Sequence, residues 1–270
     1  MNPLWLMTVL APAAYSLRWT WWKKDVPGLP VLVYHKIGVP PKGSKLKDLW
    51  VSPEKFDKQI KWLAANGYRT LFFSELAEMH KKGLSLKGDE VLITFDDGYE
   101  NNYRYAWPIL ASNKAKGNIF VVYNTIGKTN IWHNPSTEPW IDMADEKMLL
   151  EMQKSGWIEF GSHTMNHPKL EKVPYEDAVW EIRESKKQLE NLLKKEMLAF
   201  AYPYGIGAYN DKIRKAVLDA GYILDFSFKQ GKTQWPWDRE RKTIDRLFIK
   251  QKETLFDLRL HIKKGRPRIF

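Results

Sequence analysis

The sequence predicts an α/β fold in which a parallel sheet closes into a (β/α) barrel. Short apolar runs that read as buried strands alternate with amphipathic helical segments seven or eight times. A length of 270 residues suits one large barrel domain. The alternative, an open doubly wound sheet, usually carries a Gly-rich phosphate loop after its first strand, and the sequence has none.

The elements follow in order. Asp25 to Pro30 is a Pro/Gly linker, so residues 1–30 separate from a domain over 31–270. Val31 to Ile37 is the first strand, nearly continuous in apolar residues. After a polar loop to Trp50, Ser52 caps a helix opening at Pro53, with Phe56, Ile60 and Leu63 at helical spacing and Gly67 at its close. Thr70 to Phe73 is a strand, and Ser74 caps a helix ending at Gly83. Glu90 to Phe95 is a strand; Tyr99 to Lys116 is partly helical, with Pro108 setting a break or a late start. Asn118 to Tyr123 is a strand. The stretch from Asn124 to Pro139, with Trp132, His133 and the following Trp140, is too long for a plain connection and reads as a substrate-facing loop.

Asp145 to Lys154 is a helix burying Met148, Leu149 and Met152, and Trp157 to Phe160 a strand. Tyr175 to Lys195 is a long amphipathic helix whose Glu and Lys residues read as a solvated face. Leu198 to Ala201 is a strand, Asp211 to Ala220 a helix, Tyr222 to Phe226 and Thr243 to Ile249 late strands, and Thr254 to Ile262 a weak helix.

Net charge is +11, from 43 basic and 32 acidic side chains. It favours anionic surfaces: phosphate polymers, acidic glycans or lipid headgroups. The basic residues are dispersed and no nucleic-acid motif is present, so no nucleic-acid partner is expected. The absence of cysteine excludes disulfides, thiolate ligands and lipidation at cysteine. Some of the 13 Trp, 12 Tyr and 12 Phe could stack on sugars. Leu4 to Ala14 is apolar, and Ala11-Pro12-Ala13 resembles a small-residue cleavage site, but no basic residue precedes the run. The run falls short of the ~20 residues that span a bilayer. Trp19, Trp21 and Trp22, followed by Lys23-Lys24, suit an interfacial membrane anchor. Export or membrane association at the cell envelope is the expectation.

Two motifs carry chemistry. Val91-Leu92-Ile93-Thr94-Phe95 runs into Asp96-Asp97-Gly98, placing two carboxylates at the carboxyl end of a strand, where α/β folds build sites. Adjacent aspartates repel and need a metal, hydrogen bonds or a shared proton. On extended backbone they point opposite ways, which favours a division of labour, one on a metal and one on protons. Gly161-Ser162-His163-Thr164-Met165-Asn166-His167-Pro168 adds two histidines four apart, and a carboxylate with two imidazoles is a common zinc set. Pro168 disfavours helix at His167, so the pair sits on a folded loop. His35 reads as a hydrogen-bonded core histidine and His133 as a solvated one.

Thr94-Phe95-Asp96-Asp97-Gly98 and His163-Thr164-Met165-Asn166-His167, with Val31-Leu32-Val33-Tyr34-His35 and Phe200-Ala201-Tyr202-Pro203-Tyr204-Gly205, resemble the polysaccharide deacetylases (NodB-homology, carbohydrate esterase 4), and most the branch acting on poly-N-acetylglucosamine. The resemblance spans residues 30 to 250. It implies a distorted barrel of seven or eight parallel strands and removal of N-acetyl groups from an N-acetylated polysaccharide. It assigns a divalent metal, zinc before cobalt, nickel or iron, to Asp97, His163 and His167, and the general base to Asp96. It points to His35 as the acid, and to Pro203 and the Tyr204 N–H at the oxyanion and substrate-binding position. Two departures stand out: Ala201 occupies the place of the arginine that orients the base, and Arg259-Leu260-His261 stands where a Leu-x-His is usual. Rival readings are a non-haem iron oxygenase, a glycosidase, a non-catalytic glycan-binding protein, and a deacetylase of chitin or peptidoglycan.

Overall fold

The computed structural model describes residues 16–269. The strands are β1 (Val31–Tyr34), β2 (Lys36–Ile37), β3 (Trp50–Val51), β4 (Arg69–Leu71), β5 (Glu90–Phe95), β6 (Gly117–Val121), β7 (Ile158–Ser162), β8 (Ala199–Ala201), β9 (Leu224–Gln230) and β10 (Ile244–Phe248). The helices are α1 (Pro53–Ala65), α2 (Phe73–Lys81), α3 (Trp107–Ser112), α4 (Glu146–Lys154), α5 (Tyr175–Leu193), α6 (Asp211–Asp219) and α7 (Leu255–Lys264). Parallel pairing runs from β5 through β6, β7, β8, β9 and β10 to β1, and β1 pairs back onto β5, Leu32 opposite Ile93 and Tyr34 opposite Phe95. The expected barrel is therefore closed, by seven strands.

The distortion is local. The lower half of β5 pairs with β4, Arg69 to Leu71 against Glu90 to Leu92, and the upper half with β6, Thr94 opposite Asn118. β4 is thus an eighth strand wedged where β5 and β6 part. Asn118, fully buried, stitches the split: its amide donates to the carbonyls of Leu71 and Ile93, and its oxygen accepts the Phe73 N–H at 2.9 Å. All four groups are interior, so each bond spares a desolvated polar atom.

Two cores result. The lumen holds Phe73, Phe120 and Phe226 in mutual ring contact, with Val31, Leu92 and Leu224. The outer core lies between strands and helices, where Phe56, Ile60 and Leu63 of α1 and Ile182, Leu189 and Leu193 of α5 face inward at helical spacing. Leu29, in the segment expected to be a Pro/Gly linker, is buried in the lumen cluster.

Several boundaries move for identifiable reasons. The first strand breaks at His35, and Lys36–Ile37 peels off to pair with Trp50–Val51. α2 begins at Phe73, not after a Ser74 cap: Glu75 accepts the Phe72 N–H, and Ser74 instead donates to Glu159. The chain before Pro108 is a π-turn, Asn102–Ala106, that runs into α3. Thr254 and Asp257 form a reciprocal capping box that makes α7 a regular helix to Lys264.

Candidate active site

β5 ends in the two carboxylates. The Asp96 N–H donates to the Tyr34 carbonyl, in ladder fashion with β1. Asp97 then turns left-handed, at φ 77°, and Gly98 follows at φ 87°. This bend lets two consecutive side chains serve one cavity, which extended backbone forbids. Thr164, His167 and Tyr204 share the left-handed conformation at φ 73°, 61° and 59°. Four non-glycine residues held in that region around one pocket indicate strain maintained for function, each costing about 1–3 kcal/mol.

His163 follows β7 and donates its N–H to Val121. Its Nδ1 lies 2.7 Å from the Ala201 carbonyl, which fixes the proton on Nδ1 and leaves Nε2 with a lone pair. His167 sits on a loop, as Pro168 requires, with its N–H on Thr164 Oγ1 at 2.9 Å. The loop is braced by Glu181 of α5, which accepts from the N–H groups of Met165 and Asn166 and from the Asn166 side chain, at 2.7–2.9 Å. Glu181 is buried, contrary to the expected solvated face, and the helical pattern gave no sign of its reach.

The Nε2 atoms of His163 and His167 stand 3.4 and 3.3 Å from Asp97 Oδ1. All three residues are buried, and their ligand atoms lie within 4.8 Å of one another. Burial raises the Asp97 carboxyl, but the imidazoles outweigh it and hold the group well below its usual range. Burial also keeps the His167 ring below its ordinary value. An ionised carboxylate and two imidazoles, one with a carbonyl-fixed tautomer, fit a divalent ion.

Asp96 has different company. Arg246, from β10, grips it bidentately at 2.6 and 2.8 Å, and anchors its own Nε on the Ser227 carbonyl. The guanidinium is fully buried and stands over the rings of Phe120 and Phe228. Burial raises the Asp96 carboxyl; the Arg246 charge, with His163 and His35, more than offsets that and leaves it below normal. Arg246 thus orients the base candidate from another strand, while Ala201 packs into the lumen core. No sequence signal marked Arg246, since it sits in an ordinary strand 150 residues from its partner.

His35 Nε2 lies 4.0 Å from Asp96 Oδ2. The ring is flanked edge-on by Phe228 and Phe248, and burial lowers its pKa against the pull of Asp96 and Asp97. Among the described residues its Nδ1 is buried with no hydrogen-bond partner, which departs from the hydrogen-bonded core histidine expected there. His261 is elsewhere, held between Glu253 and Gln230.

His35, both aspartates, His163 and His167 meet in a cavity of about 300 Å³, walled by Tyr204, Trp132 and Phe228. Trp132 and Tyr204 lie against the His167 ring at 4.4 and 4.6 Å. Gly205 permits this turn: a Cβ there would meet Phe228 at 2.7 Å. The turn is closed by the N–H groups of Gly205 and Ile206, and that of Tyr204 is not among its bonds. Burial, then Asp97, pushes the Tyr204 phenol up to about 12. Pro203 is buried beneath and does not line the cavity. The long loop does face the site, through Trp132 and His133, and His133 is half-buried there, not solvated. Glu138 ties that loop to the one after β2, accepting from Ser44 Oγ and the N–H groups of Lys45 and Leu46.

Residues 84–224 match the family model described as polysaccharide deacetylase. The YxkH protein of Bacillus subtilis (strain 168) is 32% identical over 212 residues, 78% of this chain and 68% of that protein. The poly-β-1,6-N-acetyl-D-glucosamine N-deacetylase of Staphylococcus aureus (strain MSSA476) is 34% identical over 192 residues, 67% of this chain. The match spans 63% of that enzyme's length, a little under two thirds. The structure of the Streptococcus pyogenes deacetylase PplD in complex with acetate superposes with a TM-score of 0.73 at 26% identity, covering 88% of this chain and 99% of that one.

Proposed function

The chain belongs to the polysaccharide deacetylase family, and on that premise we propose that it is a metal-dependent hydrolase removing N-acetyl groups from an N-acetylglucosamine-containing polysaccharide. The observation that carries this is the convergence of Asp97, His163 and His167 beside an Asp96 held by Arg246 in one pocket. The preferred polymer is β-1,6-linked, by analogy with the staphylococcal relative. The ion at the triad is zinc, in keeping with two imidazoles and one carboxylate.

When bound, the ion would acidify a water and polarise the acetamide carbonyl. Asp96, ionised and fixed by Arg246, takes the proton of the attacking water. The Tyr204 N–H faces the developing oxyanion. The amine cannot leave as an anion, so it must gain a proton as the C–N bond breaks. His35 is neutral at rest because it is buried. It carries that proton from Asp96, 4.0 Å away, to the nitrogen. One water proton reaches the amine by way of Asp96 and His35, and the other, lost as the acid product ionises, is taken up by the freed amine, so that acetate and an ammonium sugar remain.

The test is acetate release from β-1,6- and β-1,4-linked N-acetylglucosamine oligomers by protein stripped of metal and then restored, alongside Asp96→Asn. Metal-dependent release that the substitution abolishes supports the reading. Release that survives either change overturns it.

A cell-envelope location is part of the proposal. Trp21 and Trp22 are half-exposed, with their indole N–H groups bound to the carbonyls of Ser16 and Leu17, and Lys23 and Lys24 adjoin them. This suits an interfacial patch on anionic lipid. The apolar run Leu4 to Ala14 and the Ala11-Pro12-Ala13 site lie outside the described residues. Among the described residues no helix is long and apolar enough to cross a membrane. Co-flotation with anionic vesicles, weakened by Trp21→Ala with Trp22→Ala, is the expected result.

A further inference from the structure

The pocket has a neighbour across the phenylalanines that flank His35. Phe228, one of its walls, is also a wall of a second cavity of about 680 Å³. Phe248, packed edge-on against His35, lines that second space. Inside it, His261 is buried and fixed on both ring nitrogens, at 3.0 Å from Glu253 and from Gln230.

The lining is cationic. Arg18, Lys250, Lys252, Arg266 and Arg268 contribute five positive side chains against the carboxylates of Asp48 and Glu253. Glu253 is already committed, one oxygen to His261 and the other to the Lys250 N–H. Arg268 is offset by Asp257. Among the described residues, Lys250, Lys252 and Arg266 form no ion pair, and Lys252 and Arg266 are exposed. The catalytic pocket, by contrast, has two aspartates and no lysine or arginine in its lining.

Unsubstituted poly-N-acetylglucosamine is neutral, and its deacetylated product carries ammonium groups that this groove would repel. A glycan bearing anions next to the acetylated sugar would be drawn in. Resting on the deacetylase reading, we propose that the groove beside His35 is a binding subsite for an anionic stretch of the substrate polysaccharide, a phosphodiester or carboxylate substituent near the acetamide being attacked. The enzyme then selects acetyl groups by the charge of the neighbouring chain.

The experiment uses the full, metal-loaded chain and three N-acetylglucosamine oligomers of equal length: unsubstituted, phosphate-bearing and carboxylate-bearing. KM is expected to be about tenfold lower for at least one anionic oligomer, an advantage that fades in high salt. Which one gains distinguishes phosphodiester from carboxylate. The double variant Lys252→Glu, Arg266→Glu should erase the advantage while leaving kcat on the neutral oligomer unchanged. Equal KM for all three, or an advantage that persists in the variant, overturns the proposal. Direct binding to Asp96→Asn needs no turnover and separates the two levels. Tighter binding of the anionic oligomer, with no acetate from any oligomer by the native protein, would uphold the groove and sink the deacetylase reading. Equal binding with normal acetate release would do the reverse.

Discussion

Two carboxylate–guanidinium pairs are buried in this barrel, and they serve opposite ends. Arg246 grips Asp96 at 2.6 and 2.8 Å inside the lumen, and Arg214 holds Asp225 at 2.9 Å on the outer side, toward α6. Arg214 spends its other N–H groups on the carbonyls of Arg239, Glu240 and Lys242, and Asp225 also accepts the Tyr202 hydroxyl. Every group there has a partner, and the pair fastens a loop. Asp96 opens into a cavity beside His35, whose Nδ1 has none among the described residues. The carboxyls respond differently: for Asp225 burial prevails and raises the pKa, whereas for Asp96 the guanidinium prevails and lowers it. A buried ion pair is therefore a site only when one face is left for something else.

Exchanging the carboxylates tests that contrast most severely. Asp96→Asn should lower kcat by about 10²–10⁴-fold in the folded protein, and should also lower the melting temperature, because it strips the buried Arg246 of its charged partner. Asp225→Ala, which strands Arg214, should cost about 3–5 kcal/mol of stability, read by denaturant unfolding, while the folded fraction keeps its kcat. An inactive but fully folded Asp225→Ala protein would erase the distinction.

Arg246→Met probes the same difference through pH. With arginine present, the Asp96 pKa lies below its ordinary value, so the base is ionised, and its pairing stabilises the fold, above the normal carboxylate range. Both are lost as pH falls through the depressed folded pKa. Without arginine, burial is opposed only by His163 and His35, the pKa rises, and the acidic limb of the kcat/KM profile should move to higher pH, with about 10–100-fold lower activity at its centre. An unmoved limb would mean that Arg246 only packs.

The smallest effect is expected from Glu138. Burial raises its carboxyl, but bonds from Ser44, Lys45 and Leu46 leave it below the ordinary value. Glu138→Ala should free the two loops that carry Leu46 and Trp132, raising KM several-fold at unchanged kcat. Faster hydrogen exchange at the Lys45 and Leu46 amides would accompany it. In the native protein that protection should hold above the normal glutamate pKa and fade as pH falls through the lower folded one.

The sequence alone determined the strand and helix alternation, the barrel class, and the two motifs with Asp96, Asp97, His163 and His167. These are written in contiguous residues, where period and turn chemistry leave a local trace. It also placed Pro168 against a helical His167, which the positive φ bears out. Only the tertiary structure decided what steadies those groups. Arg246 reaches Asp96 because barrel closure brings β10 to the edge of β1 facing away from its other neighbour, β5. Glu181 braces the histidine loop from a helix whose other acids face water, and Asn118 mends a split that no periodicity announces. Such residues look like any arginine, glutamate or asparagine in their own segment, because their role lies in a long-range contact, and chain closure alone creates it.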